Sequence, residues 1–109
     1  MKNTKNFIIL FCNTPNIENA KQIAHKLVKE KLAACVNLFS GVTSIYEWEG
    51  AIEEGSEVTM VIKTLIEYRE KVEETILELH PFDTPEIIQI DVPTSNSKYY
   101  DWLVGVLDN

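Results

Sequence analysis

"LAACVNLFSGVTSIYEWEGAIEEGSEVTMVIK", Leu32 to Lys63, holds two β-rich runs that meet at Glu49-Gly50. Both runs are rich in Val, Ile, Thr and Tyr, and a glycine between them is a turn signal, so the segment reads as one long hairpin. Ser40-Gly41 interrupts the first run and predicts a bulge or kink; Glu54-Gly55 predicts a break in the second. Strands of about 14 residues at roughly 3.3 Å per residue reach ~45 Å, beyond a domain with a radius of gyration of about 13 Å. The hairpin is therefore expected to project onto a neighbouring molecule.

Upstream, "FIILFC" (Phe7 to Cys12) is continuously apolar, the pattern of a strand buried on both faces. In "NTPN", either Thr14 caps a helix with Pro15 at its first position or Asn16 is the cap. Ala20, Ile23, Ala24, Leu27 and Val28 then form a helical apolar stripe, which leaves His25 among lysines on the solvent side. Downstream, Thr64 with Glu67 three residues later has the spacing of a capping box and predicts a second helix from Thr64. Its stripe is Leu65, Tyr68, Val72, Ile76 and Leu79, and Pro81 stops it. "EIIQIDV" alternates as a last strand, and a helix from Ser97 to Leu107 carries Tyr99, Trp102, Leu103 and Val106 on one side.

Strand, helix, strand, strand, helix, strand is the order of an α+β, ferredoxin-like βαββαβ fold, here one domain over 1–109 with an added C-terminal helix. Right-handed crossovers give an antiparallel sheet of order 4-1-3-2 with the first two helices on one face. That topology puts Cys12, leaving strand 1, at the same end as His80, leaving helix 2. Cys35 falls near the entrance of strand 2, beyond the ~7 Å Cα separation a disulfide allows, so both cysteines are expected as free thiols. Strand 1 is apolar on both faces while two helices cover one, so a second surface must bury the other; closed cyclic symmetry is the usual solution.

A net charge of −7 with Arg69 as the only arginine argues against nucleic acid as a partner. No apolar run approaches the roughly 20 residues that span a bilayer, so no membrane partner and a cytoplasmic location are expected. An acylphosphatase-like enzyme would need an arginine in the loop after strand 1, which instead reads "CNTPN". An RNA-recognition module would need stacking aromatics and a basic surface, and neither is present.

"EKLAACVN" (Glu30 to Asn37), "TSIYEWEG" (Thr43 to Gly50), Glu57-Val58 with "IKT", "HPFDTPEI" (His80 to Ile87) and "YYDW" (Tyr99 to Trp102) occur in register over nearly the whole chain. Together they resemble the CutA divalent-ion-tolerance family. The resemblance implies a homotrimer of PII-like architecture, no enzymatic reaction, and a link to tolerance of copper and other divalent ions. In some members copper is assigned to a Cys leaving strand 1 and to histidines before the Pro of "HP". By position these are Cys12 and His80, while Leu79 stands where some members have a second His. The family's "HPY" is "HPF" here, and the segment before the last helix, often Gly-rich in relatives, is "PTSNSK".

Thiolate and imidazole suit copper or zinc, and Asp83, Glu86 or a neighbouring subunit would have to complete a site on Cys12 and His80. The competing reading makes Cys12 a core thiol and His80 a helix C-terminal residue whose ring meets the last carbonyls. Glu47, Glu49, Glu53, Glu54 and Glu57 crowd the hairpin without the regular spacing of a calcium loop, and read as a solvated, charge-protected edge. Tyr46 and Trp48 share one strand face, and Glu57 and Lys63 share another. With Tyr99 and Trp102 they form either a cleft for a small organic anion, the PII-like alternative, or packing between subunits.

Overall fold

In the computed structural model, which describes residues 2–108, the elements follow the expected order. They are β1 (Lys2–Thr14), α1 (Ile17–Lys29), β2 (Cys35–Trp48), β3 (Ala51–Leu65), a 3-10 turn (Ile66–Tyr68), α2 (Arg69–Leu79), β4 (Ile87–Thr94) and α3 (Ser97–Leu107). The four strands form one antiparallel sheet of order β2-β3-β1-β4. No helix among the described residues is long and apolar enough to cross a membrane.

Asn16 is the cap of α1: its backbone is extended and its side-chain oxygen accepts from the Asn19 N–H at 2.8 Å. Thr14 is instead the last residue of β1, paired with Val58, and its hydroxyl donates to the Asn16 carbonyl at 3.1 Å. Ala20, Ile23, Ala24 and Leu27 are buried as the stripe requires, whereas Val28 and His25 face solvent.

The capping box at Thr64 does not form. Thr64 is fully buried within β3, opposite Ile8, and its hydroxyl donates to the Leu32 carbonyl at 2.6 Å. A threonine can satisfy a helix amide or a distant carbonyl, and here tertiary burial decided against the local motif. Helix α2 accordingly begins only at Arg69, after the 3-10 turn, and Leu65 belongs to the strand.

The hairpin turns through Glu49 (φ 49°) and Gly50 (φ 83°), the left-handed pair of a two-residue type I′ loop. The expected break at Glu54-Gly55 is absent: Ile45 pairs with Glu54 and Ser44 with Gly55 in unbroken register. The interruption at Ser40-Gly41 is real. Phe39 pairs with Thr59 but Val42 pairs with Glu57, so β2 carries one extra residue, accommodated by Gly41 at φ 73°. The long axis of the molecule is 45 Å, against 25 and 22 Å across.

Two cores result. Ile8, Leu10, Cys12, Met60 and Ile62 line one face of the sheet beneath α1 and α2. On the other face Phe7 and Leu65 pack with Ala34 against Tyr100, Leu103 and Leu107 of α3. The buried stripe of α3 is thus rotated from the one expected: Trp102 is half exposed and Tyr100 takes its place. Helix α3 covers only one end of the second face, leaving Phe39, Ile88 and Ile90 at 55%, 49% and 46% exposure.

Candidate functional site

Strand β1 delivers Cys12 and Asn13 to the end of the sheet where α2 delivers His80, so the residues meet as the topology requires. The Asn13 carbonyl is their common partner. His80 Nε2 lies 2.8 Å from it and Cys12 Sγ lies 3.8 Å from it. The His80 ring is buried, at 7% exposure, and its Nδ1 accepts from the Phe82 N–H at 3.1 Å. A carbonyl can only accept and an amide N–H can only donate, so Nε2 carries the hydrogen, Nδ1 is bare, and the ring is neutral. Its ring also packs on Phe82, with centroids 5.0 Å apart. His80 therefore clasps the end of α2 to β1 and to the loop that follows it; its ring does not meet the last carbonyls of α2.

Neighbouring groups tighten the same knot. The Asn19 side-chain amide donates to the Leu79 carbonyl at 3.1 Å, and the Thr59 hydroxyl donates to Asn13 Oδ1 at 2.7 Å. Sequence reasoning overlooked Asn13, Asn19 and Thr59. The run of Asn and Thr in "CNTPN" was the available signal, since short polar side chains at a strand exit commonly bond nearby backbone.

These residues do not fit a copper ion within one chain. Both His80 nitrogens are engaged by backbone groups, and the Cys12 thiol is pushed up to about 12, first by burial and then by the carboxylates of Glu86 and Glu57. A thiol held protonated is a poor ligand, because the thiolate is the binding form. Asp83 and Glu86 lie exposed in the following loop, and among the described residues no group of three or more His, Cys, Asp and Glu side chains is placed to hold an ion. Cys35 is free as well; it sits on β2 level with Lys63 and Ile9, on the opposite face of the sheet from Cys12.

The second set of residues gathers on the face that α3 partly covers. In β3 the odd-numbered positions face that side, among them Glu57 and Lys63. Because the bulge adds one residue to β2, Val42, Ser44, Tyr46 and Trp48 pair with Glu57, Gly55, Glu53 and Ala51 and turn to the same side. Were Gly41 paired in a regular ladder instead of bulged out, Tyr46 and Trp48 would face away. The two pairs read separately from the sequence thus share one surface, with Tyr46 and Trp48 exposed near the hairpin tip and Lys63 deeper, beside α3.

At that deeper end, Lys63 Nζ lies 5.8 Å from the centroid of the Tyr99 ring, within cation–π range. Trp102 tilts against Tyr99 at 5.6 Å and Phe7 lies 6.4 Å away. The Tyr99 hydroxyl is buried without a hydrogen-bond partner, and no carboxylate among the described residues forms an ion pair with Lys63.

Comparison with known proteins places this geometry in context. Residues 8–105 match the family model of the CutA1 divalent ion tolerance protein. The divalent-cation tolerance protein CutA of Thermus thermophilus is 40% identical over 95 residues, which are 87% of this chain and 92% of that protein. A chloroplastic CutA of Arabidopsis thaliana is also 40% identical, over 96 residues and 88% of this chain; the match spans about half, 53%, of that longer relative. Among solved structures, the CutA1 of Ehrlichia chaffeensis superposes with a TM-score of 0.91 at 36% identity, covering 96% of this chain and 98% of that one.

Proposed function

Because the chain belongs to the CutA1 divalent ion tolerance protein family, we propose that it serves divalent-cation tolerance as a cytoplasmic homotrimer of PII-like architecture, a binding protein rather than an enzyme. One observation carries this reading. Phe39 on edge strand β2 and Ile88 and Ile90 on edge strand β4 are apolar surface that α3 leaves bare and that association would bury, and the hairpin runs on beyond the last β1 pair, Thr14 with Val58, to supply a partner surface. Copper or another divalent ion is then met by ligands from more than one copy, since Cys12 and His80 are already satisfied within their own chain.

Light scattering of the intact protein tests the assembly, with three times the 12.5 kDa chain mass as the expected result and a monomer mass as the refuting one. Copper titration of wild type, Cys12→Ser and His80→Gln tests the ion. Equal binding in all three is expected, and loss in both variants would return the site to this pair. A second reading, a trimeric signalling module that binds a small organic anion between subunits, is favoured by the ammonium of Lys63, which no carboxylate among the described residues pairs, over the ring of Tyr99, whose buried hydroxyl has no partner among them.

A further inference from the structure

The corner formed by β3 and α3 holds two donors in search of an acceptor. Lys63 Nζ stands over the Tyr99 ring, which screens one side of the ammonium without neutralising it. The Tyr99 hydroxyl is buried with no partner, and a buried hydroxyl left unpaired is destabilising unless something else receives it. The chain has 17 acidic and 10 basic residues, so the lack of a carboxylate paired with Lys63 among the described residues is not for want of carboxylates. Lys63 is flanked across the sheet by Ile9 on one side and Cys35 on the other, neither of which can answer its charge.

We infer that Lys63, Tyr99 and Trp102 form a receptor for a carboxylate group, one oxygen accepting from the Tyr99 hydroxyl while the charge is neutralised by Lys63. The half-exposed Trp102 ring tilts against Tyr99 with centroids 5.6 Å apart and offers a flat apolar neighbour to whatever binds there. A carboxylate fits better than a neutral acceptor because it satisfies both donors at once, and charge-assisted bonds are the stronger kind. Two sources can supply it: a free organic acid, or a glutamate from the acidic hairpin of a second copy, which carries Glu47, Glu49, Glu53, Glu54 and Glu57. The receptor rests on the anion-binding reading and is independent of how copper is held.

The experiment uses the intact chain, as wild type, Lys63→Met, Lys63→Arg and Tyr99→Phe, each first checked for native circular dichroism. Glutarate is titrated calorimetrically, and the subunit dissociation constant is measured by light scattering on dilution. Saturable glutarate binding that weakens about tenfold in Lys63→Met and Tyr99→Phe, and recovers in Lys63→Arg, assigns the receptor to a free acid. No glutarate heat, with subunit dissociation about tenfold easier in the same two variants, assigns it to the hairpin of a second copy. If neither quantity moves in either variant, the receptor does not exist. Copper titration is a separate measurement, so failure here leaves the tolerance reading standing.

Discussion

Replacing His80 with alanine removes both ring contacts at once: the bond from Nε2 to the Asn13 carbonyl and the acceptance at Nδ1 of the Phe82 N–H. Each bond contributes about 1 kcal/mol, and emptying a buried ring site adds a cavity term, so a loss of about 2–4 kcal/mol is expected. Much of that loss comes from the Asn13 carbonyl and the Phe82 amide left without their partner. Urea unfolding followed by circular dichroism measures it, at fixed chain concentration because assembly would otherwise shift the midpoint. The Phe82 amide should also exchange with deuterium about tenfold faster, a local readout that a general loosening of the core would not single out. Partial rescue separates the two bonds: His80→Gln can still donate toward Asn13, and His80→Asn can still accept from residue 82 as an Asx turn. A loss below about 0.5 kcal/mol with unchanged exchange at Phe82 would refute the clasp.

Other expectations follow from single contacts. Thr64→Val removes the hydroxyl that donates to the Leu32 carbonyl at a fully buried site and should destabilise by about 1–3 kcal/mol, whereas Thr64→Ser should not; urea midpoints decide. In a Cys35→Ser background, a thiol reagent at pH 8 should label Cys12 only as fast as the chain unfolds, and rapid labelling of the native protein would contradict its burial. The Cys12 thiol sits at about 12 when folded against an ordinary 9.0. Its contribution is intact below pH 9 and lost as pH rises toward 12, a decline that Cys12→Ala should lack in alkaline unfolding curves. Asp108 is held below its ordinary 3.8 chiefly by its bond to Lys5, against a smaller opposing effect of burial. Its stabilising effect is therefore present above pH 3.8 and lost as the carboxylate protonates below it; in Lys5→Met the carboxyl titration, followed by NMR, should move back up.

The element order, the sheet and the meeting of β1 with the end of α2 were legible because hydrophobic period and crossover handedness are local or topological properties. What escaped was whatever depended on a distant partner. "TLIE" satisfies the capping-box pattern, and nothing within it reveals that the Leu32 carbonyl waits for Thr64 across the core. Gly55 looks like a strand breaker, yet its partner Ser44 and the Tyr46 ring that lies over it, with the hydroxyl 3.9 Å from where a Cβ would stand, carry it inside the ladder. The helical period of α3 was plain, but which side it buries depends on Phe7 and Leu65, residues far away in the chain. The same limit applied to His80. Its place beside Cys12 could be read from topology, while the engagement of both ring nitrogens depends on where the Asn13 carbonyl and the Phe82 amide point.

The extra residue between Phe39 and Val42 bears on how such a hairpin can change in length. Losing Gly41 would only erase the bulge, leaving Val42 opposite Glu57 and Tyr46 opposite Glu53 on their present side; losing one residue between Val42 and Tyr46 would turn over the side chains from there to the tip, exchanging Tyr46 and Trp48 for Ile45 and Glu47 on the surface shared with Lys63. Removing one residue from each strand at the tip, by contrast, trims the reach and leaves each remaining side chain on its own side. Engineered or natural variants of this arm should therefore gain and lose residues as cross-strand pairs, and a single-residue change should survive only at the bulge itself or where a second bulge restores the count.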